Sequence, residues 1–225
     1  MSIAAEIARR DISEVLHFTT NRGVTGSLHN RSLLSRPLLD EDQYLRHVLQ
    51  LNWLDRPEES EFFDKSNDWL RFVNLSLSEI NKRLFRLSQQ RHNATDLWWC
   101  ILSFDPIIMT HENVWFATTN NGYDRCIRGE GSDGLDALFA QRVARKSMGI
   151  TGYPWNVNRL ARVDSLPTCE QAEVLYPEQV SLEYLRRIYV MEEEDHDMVA
   201  GLLTDFEYEG VEVVVRPEKF GGQPN

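Results

Sequence analysis

The chain has 225 residues, 42% hydrophobic and 26% charged, which is the balance of an ordinary globular protein with one sizeable core. Its 35 acids against 24 bases give a formal net charge of −11, an average that argues against a polyanionic partner unless cations gather on one face. With no run of about 18 uncharged apolar residues and no apolar N-terminal segment, the sequence predicts neither a membrane span nor a signal peptide, and a cytoplasmic location.

In chain order, Ile3 to Arg10 reads as a short helix and Ser13 to Phe18 as an apolar strand. Asn21 to His29 has helical spacing with Val24 and Leu28 inward, and Asn30 is the expected left-handed stop. Asp40 suits the N-cap of a helix through Leu51, because Tyr44, Leu45, Val48 and Leu51 fall on one stripe; residues 52–67 then read as a polar connector. Phe72 to Leu77 is a predicted strand, followed by a helix opening at Ser78 and Glu79, in which Ile80, Leu84 and Leu87 keep helical spacing. Leu97 to Phe104 is apolar on both faces, the pattern of a strand inside a sheet. Val114 to Thr118 is a further strand, with a turn at Asn120-Asn121-Gly122. Residues 129–134 read as a loop, with Gly129-Glu130-Gly131 too short and too acidic to cradle phosphate, and Leu135 to Arg145 as a helix. Ala172 to Tyr176, Leu185 to Val190 and Val211 to Val215 close the strands, with His196 to Leu203 helical between the last two. The mixture predicts an α+β fold, a single domain over 1–225 that includes the acidic segment 191–225.

Charge is unevenly spread. From Met191 to Glu218 many acids face one base, Arg216, whereas Arg142, Arg145, Lys146, Arg159 and Arg162 lie between Asp136 and Asp164 with no acid among them. This predicts one basic face and one solvated acidic face. Cys100, Cys126 and Cys169 have neither CxxC spacing nor a nearby histidine pair, so reduced thiols in or near the core are expected, and no metal site.

Three segments carry chemistry. Gln171-Ala172-Glu173 leads into the apolar Val174-Leu175-Tyr176; residues two apart on a strand share a face, which puts Gln171 beside Glu173 over one pocket. The preceding stretch, Lys146 to Cys169, holds Tyr153, Trp155, Arg159 and Arg162, the rings and guanidinium groups with which single-stranded bases are held. Tyr153-Pro154-Trp155 suits a hydrophobic plug equally well. Near the start, Leu16-His17-Phe18-Thr19 sets a histidine on an apolar strand, and Thr19-Thr20-Asn21 offers hydroxyl and amide groups where a nucleotide could sit; a satisfied core histidine is the competing reading.

With these motifs the chain resembles the DarT family of DNA ADP-ribosyltransferase toxins, in scattered blocks from Ser13 to Val190. The resemblance implies an ADP-ribosyltransferase-type fold, with two small sheets and flanking helices around an NAD cleft. It implies transfer of ADP-ribose from NAD to a base, thymine or guanine, in single-stranded DNA, with nicotinamide released and no metal. Glu173 matches the catalytic glutamate, and His17 the first-strand histidine that lies against NAD, with Thr19 and Asn21 beside it. Arg56 fits best the connector arginine that grips the NAD diphosphate, since a guanidinium holds oxygens in pairs; Arg46 and Arg71 compete for that role. In the family the loop before the glutamate motif touches the acceptor, which implies DNA contacts for Gln171, Tyr153, Trp155, Arg159 and Arg162. Phe116-Ala117-Thr118-Thr119-Asn120-Asn121 looks like one branch of the family and would place Thr119 and Asn120 near DNA. The resemblance further implies a toxin, monomeric when free, whose partner is a macrodomain antitoxin of DarG type. Action on RNA or protein, and a catalytically idle single-strand-binding module, stay open as alternatives.

Overall fold

The structure, a computed structural model, describes residues 1–41, 68–91, 96–148, 151–223 and 225. Its helices there are α1 (Ile3–Arg9), α2 (Asn21–Asn30), α3 (Arg36–Glu41), α4 (Lys82–Arg91), α5 (Gly131–Ala137) and α6 (Glu193–Asp205). The strands are β1 (Val15–Thr20), β2 (Ser32–Leu34), β3 (Phe72–Leu77), β4 (Trp99–Phe104), β5 (Trp115–Ala117) and β6 (Arg128–Glu130). They continue as β7 (Arg142–Met148), β8 (Tyr153–Asn158), β9 (Glu173–Pro177), β10 (Gln179–Ser181), β11 (Leu185–Val190) and β12 (Glu212–Val215).

Eight strands form one sheet in the order β12-β11-β4-β1-β3-β9-β5-β6, while β2 with β10 and β7 with β8 make separate two-stranded ribbons. The large sheet is two halves joined by little. β1 is matched to β4 at six positions and β3 to β9 at five, yet β1 meets β3 only at Val15↔Leu77 and Leu16↔Ser76. Beyond those two pairs the halves part, and the opening begins at His17 and Asn74. The α+β class is as expected, but the two small sheets that the resemblance implied are one eight-stranded sheet, its halves fused at Val15 and Leu16.

β4 is buried along its whole length because both of its faces are covered. Cys100, Leu102 and Phe104 join Val24 and Leu28 of α2 and Val199 and Leu203 of α6 on one side. Trp99 and Ile101 join Leu16, Phe85 of α4, Tyr189 and Phe220 on the other. Each such fully buried Leu, Ile or Phe contributes about 1.5–3 kcal/mol, so this strand is the centre of the core. The acidic C-terminal stretch belongs to the same sheet. β12 runs parallel to β11, a pairing that needs a crossover, and α6 supplies it with Glu193, Glu194 and Asp195 in its first turn, where the helix dipole favours acids.

Several local expectations are corrected. The left-handed stop of α2 is Arg31 (φ 53°), one residue beyond Asn30. Ser78 does not open a helix; it has φ 61°, and α4 starts only at Lys82, with Asn81 Oδ1 accepting from the Leu84 N–H at 3.0 Å. Residues 135–145 are split between the end of α5 and the start of β7, and residues 128–130 are a strand instead of a loop. Gly134 of α5 packs so tightly on Gly129 that a Cβ would lie 2.3 Å from the Gly129 carbonyl oxygen. That contact is invisible to periodicity. The helix expected through Leu51, the connector 52–67 and the arginines Arg46 and Arg56 fall wholly or largely outside the described residues. The three thiols are free, and burial raises those of Cys100 and Cys126.

Candidate active site

Glu173 is the first residue of β9, and the register aligns it with Ser76 on β3 and Ala117 on β5. Directly opposed residues share a face, so Leu16, Ser76, Glu173 and Ala117 line one side of the sheet at the point where the halves part. The carboxylate is 5% exposed. Its Oε2 accepts the Asn121 backbone N–H at 2.8 Å and the Asn74 side-chain amide at 3.2 Å; its Oε1 accepts the Asn120 amide at 3.5 Å. No cation touches it among the described residues. Burial therefore pushes its pKa up to about 7, against the lowering effect of these donors and of the Arg128 charge.

The turn 120–122 that supplies two of the donors is itself held. Arg128 donates Nε to Asn121 Oδ1 at 2.6 Å and Nη2 to the Asn121 carbonyl, with its guanidinium 4.7 Å from the Trp69 ring centroid. Across the opening, His17 Nδ1 lies 3.1 Å from the Asn74 carbonyl, which can only accept, so Nδ1 carries the proton and Nε2 is left as an acceptor. Burial lowers the His17 pKa, which keeps the ring neutral. A histidine, an asparagine and a carboxylate on three different strands are thus linked through Asn74. Such a carboxylate, dry and titrating near neutrality, can stabilise developing positive charge or take a proton.

A profile of the family described as "ssDNA thymidine ADP-ribosyltransferase, DarT" matches residues 17–221. The chain belongs to the DarT family. Among solved structures, Thermus sp. 2.9 DarT in complex with ADP-ribosylated ssDNA is similar at a TM-score of 0.61 and 12% identity, over 93% of this chain and 96% of that one. The same Thermus protein in complex with carba-NAD+ gives a TM-score of 0.61 at 12% identity, over 93% and 98%. Thermosipho africanus DarTG in complex with ADP-ribose gives 0.59 at 16% identity and covers 95% of this chain, which spans 52% of that longer one. No curated protein sequence matches. At these identities the structures establish the shared fold, and family membership makes the chain an NAD-dependent DNA ADP-ribosyltransferase.

Within this DarT-family fold the expected site residues divide. Asn120 meets Glu173, and His17 reaches the backbone carbonyl of Asn74, the residue whose side chain holds Glu173. Thr19 is half-buried, its hydroxyl set against the first turn of α2, where a Cβ at Gly23 would lie 1.9 Å from Thr19 Oγ1. Asn21 opens α2 and donates its amide to the Asp96 carbonyl at 3.0 Å; it lines a depression with Trp98 and α6 and makes no contact with the Glu173 cluster. Gln171 lies in the turn before β9 instead of on the strand; it is 1% exposed, and its Oε1 is buried without a partner.

The acceptor loop is corrected most. The stretch after Lys146 is the β7–β8 ribbon followed by a strap, residues 159–171, and the arginines of the strap are structural. Arg159 donates to the carbonyls of Leu166 (2.9 Å) and Val163 (3.0 Å). Arg162 is ion-paired with buried Glu79 and donates to the Pro167 carbonyl at 2.7 Å. Both side chains are under a tenth exposed, so neither presents its charge to DNA. Thr119 is fully buried, its hydroxyl 3.4 Å from Cys169 Sγ. Tyr153 is 74% exposed on β8, and Trp155 is half-buried between the guanidinium groups of Arg145 (4.8 Å) and Arg83 (5.7 Å).

Sequence reasoning did not single out Asn74, Asn121 or Arg128. The first lies mid-strand in an otherwise apolar run, Phe72 to Leu77, and a polar residue there was the available signal. Nothing local distinguishes the others. Among the described residues no group of three or more His, Cys, Asp or Glu side chains is gathered where a metal could sit.

Proposed function

We propose that this chain transfers ADP-ribose from NAD to thymine in single-stranded DNA, with Glu173 as the catalytic carboxylate. The observation that carries the reading is the buried Glu173, without an ion-pair partner among the described residues, held by Asn121 and by Asn74, whose carbonyl meets neutral His17. NAD and DNA are both substrates. The bond between ribose C1′ and nicotinamide breaks, nicotinamide leaves neutral with the bonding pair, and positive charge develops on the ribose. The carboxylate stabilises that charge, a thymine ring nitrogen forms the new bond to C1′, and Glu173 takes the proton that nitrogen loses. His17 orients the nicotinamide-bearing ribose, with Thr19 and Asn21 on the flank of the same strand end. Asn120 and Gln171 border the acceptor, which stacks on Trp155 and Tyr153. Arg56 remains our assignment for the diphosphate grip; Arg71 is mostly exposed and sits 3.5 Å from Asp68.

Thymine is favoured over guanine by the description of the matching family. The chain is read as a single catalytic domain acting as a free monomer in the cytoplasm, the toxin of a pair whose antitoxin is a macrodomain of DarG type. The Thermosipho DarTG chain, nearly twice as long, supports that pairing. Mass spectrometry of two short oligonucleotides incubated with NAD, one with thymine as its sole modifiable base and one with guanine, tests the reading. Addition of one ADP-ribose to the thymine oligonucleotide is expected. Labelling of guanine alone overturns the base assignment, and nicotinamide release with no DNA adduct overturns the acceptor.

A further inference from the structure

The helix α4 reads Lys-Arg-Leu-Phe-Arg-Leu-Ser-Gln-Gln-Arg, four bases and no acid in a chain of net charge −11. Helix stability does not explain the composition. Lys82 and Arg83 occupy the first turn, where the helix dipole disfavours cations, and that turn holds no acid. Ion pairing does not explain it either: no carboxylate pairs with Lys82, Arg83 or Arg86 among the described residues, and Arg83 and Arg86 are exposed. Arg145 and Arg162, by contrast, are each locked to a buried glutamate.

The location of α4 gives its charge a use. Its Phe85 lies 5.3 Å from Phe18 and 5.4 Å from Trp99, packed with Leu16 on the sheet face that also carries Glu173. Arg83 stands over the Trp155 ring at 5.7 Å. Burial raises the pKa of the Tyr123 hydroxyl, the charges of Arg83 and Arg145 oppose that and Glu173 adds to it, so helix, ribbon and catalytic carboxylate all bear on one ring. Arg83 thus adjoins the ring on which the acceptor base is proposed to stack.

We propose that the exposed face of α4, through Arg83 and Arg86, is a phosphate track that holds the single-stranded DNA flanking the acceptor base, a role that rests on the chain being a single-strand DNA ADP-ribosyltransferase. Each arginine engages one phosphate, and the track reads no sequence, so it acts on affinity and length dependence. It takes the place of the strap arginines as the source of accessible positive charge.

The test compares a 20-nucleotide and a 5-nucleotide oligonucleotide of the same acceptor core, with wild type and with the double variant R83Q/R86Q. For the 20-mer the variant is expected to bind about 10-fold more weakly, with the slope of log K against log salt shallower by about 1.4, two phosphates at roughly 0.7 each. For the 5-mer the loss is expected to stay within about twofold, and R83K/R86K is expected to recover most of the 20-mer affinity. An unchanged 20-mer affinity and slope, or equal losses on both lengths, overturns the track. If wild type itself labels neither oligonucleotide, the proposed function fails instead, which separates the two ideas.

Discussion

Glu79 and Glu173 are buried to the same degree, each 5% exposed, and they show how a partner decides what a buried carboxylate is for. Glu79 meets the Arg162 guanidinium and the Gln223 N–H at 2.5 Å, so its charge is neutralised in place and ties the strap and the C-terminal segment to the loop after β3. Among the described residues Glu173 meets an N–H and two amides, which satisfy its oxygens without cancelling its charge. The first arrangement anchors. The second leaves a carboxylate whose ionisation is costly and near balance at neutral pH, which is the condition for proton transfer and for stabilising a cation in a dry site.

The largest effect is expected at the unpaired member. Glu173→Gln keeps size and most hydrogen bonding, so transfer to an oligonucleotide should fall by about 10³-fold or more while NAD binding survives, and expression of the variant should be harmless to cells. Retained transfer by a folded Glu173→Gln protein ends the mechanism. At the paired member the effect should be on stability. Arg162→Gln or Glu79→Gln leaves one buried charge alone, and denaturant unfolding should show a loss of about 3–5 kcal/mol, with the double variant less damaged than either single one. If Arg162→Gln weakens DNA binding without lowering stability, the strap arginine contacts substrate after all.

Acid–base behaviour separates the two next. A carboxyl whose folded pKa stands near 7, above its usual 4.5, holds its proton in the native state while the unfolded chain has lost it. Stability should therefore fall as pH rises from about 4.5 to about 7 and stay flat above, and Glu173→Gln should abolish that trend and gain at most about 3 kcal/mol above pH 7. The transfer rate should run the other way, rising through pH 7 as the carboxylate forms. Smaller still, Trp155→Ala should weaken oligonucleotide binding by about 1–3 kcal/mol in titrations while leaving NAD affinity intact. Smallest of all, Arg128→Met removes a charge that lowers the Glu173 pKa, so the midpoint of the rate profile should move upward by up to about one pH unit. A downward or absent shift would show that Arg128 acts on the turn alone.

The sequence by itself determined the α+β class, the central strand 99–104 and the strand that Glu173 opens, because apolar runs flanked by polar residues are written in local order. Only the tertiary structure decided which cations are available. Arg159 and Arg162 look like DNA contacts in a stretch free of acids, yet Arg162 is matched by Glu79, which lies 83 residues away in sequence. The donors that hold Glu173 were equally hidden, since Asn74 on β3 and Asn121 in the turn after β5 reach it across separations of 99 and 52 residues. Spacing along a chain reports which face a residue occupies; whether its charge is neutralised there depends on what the fold brings opposite it.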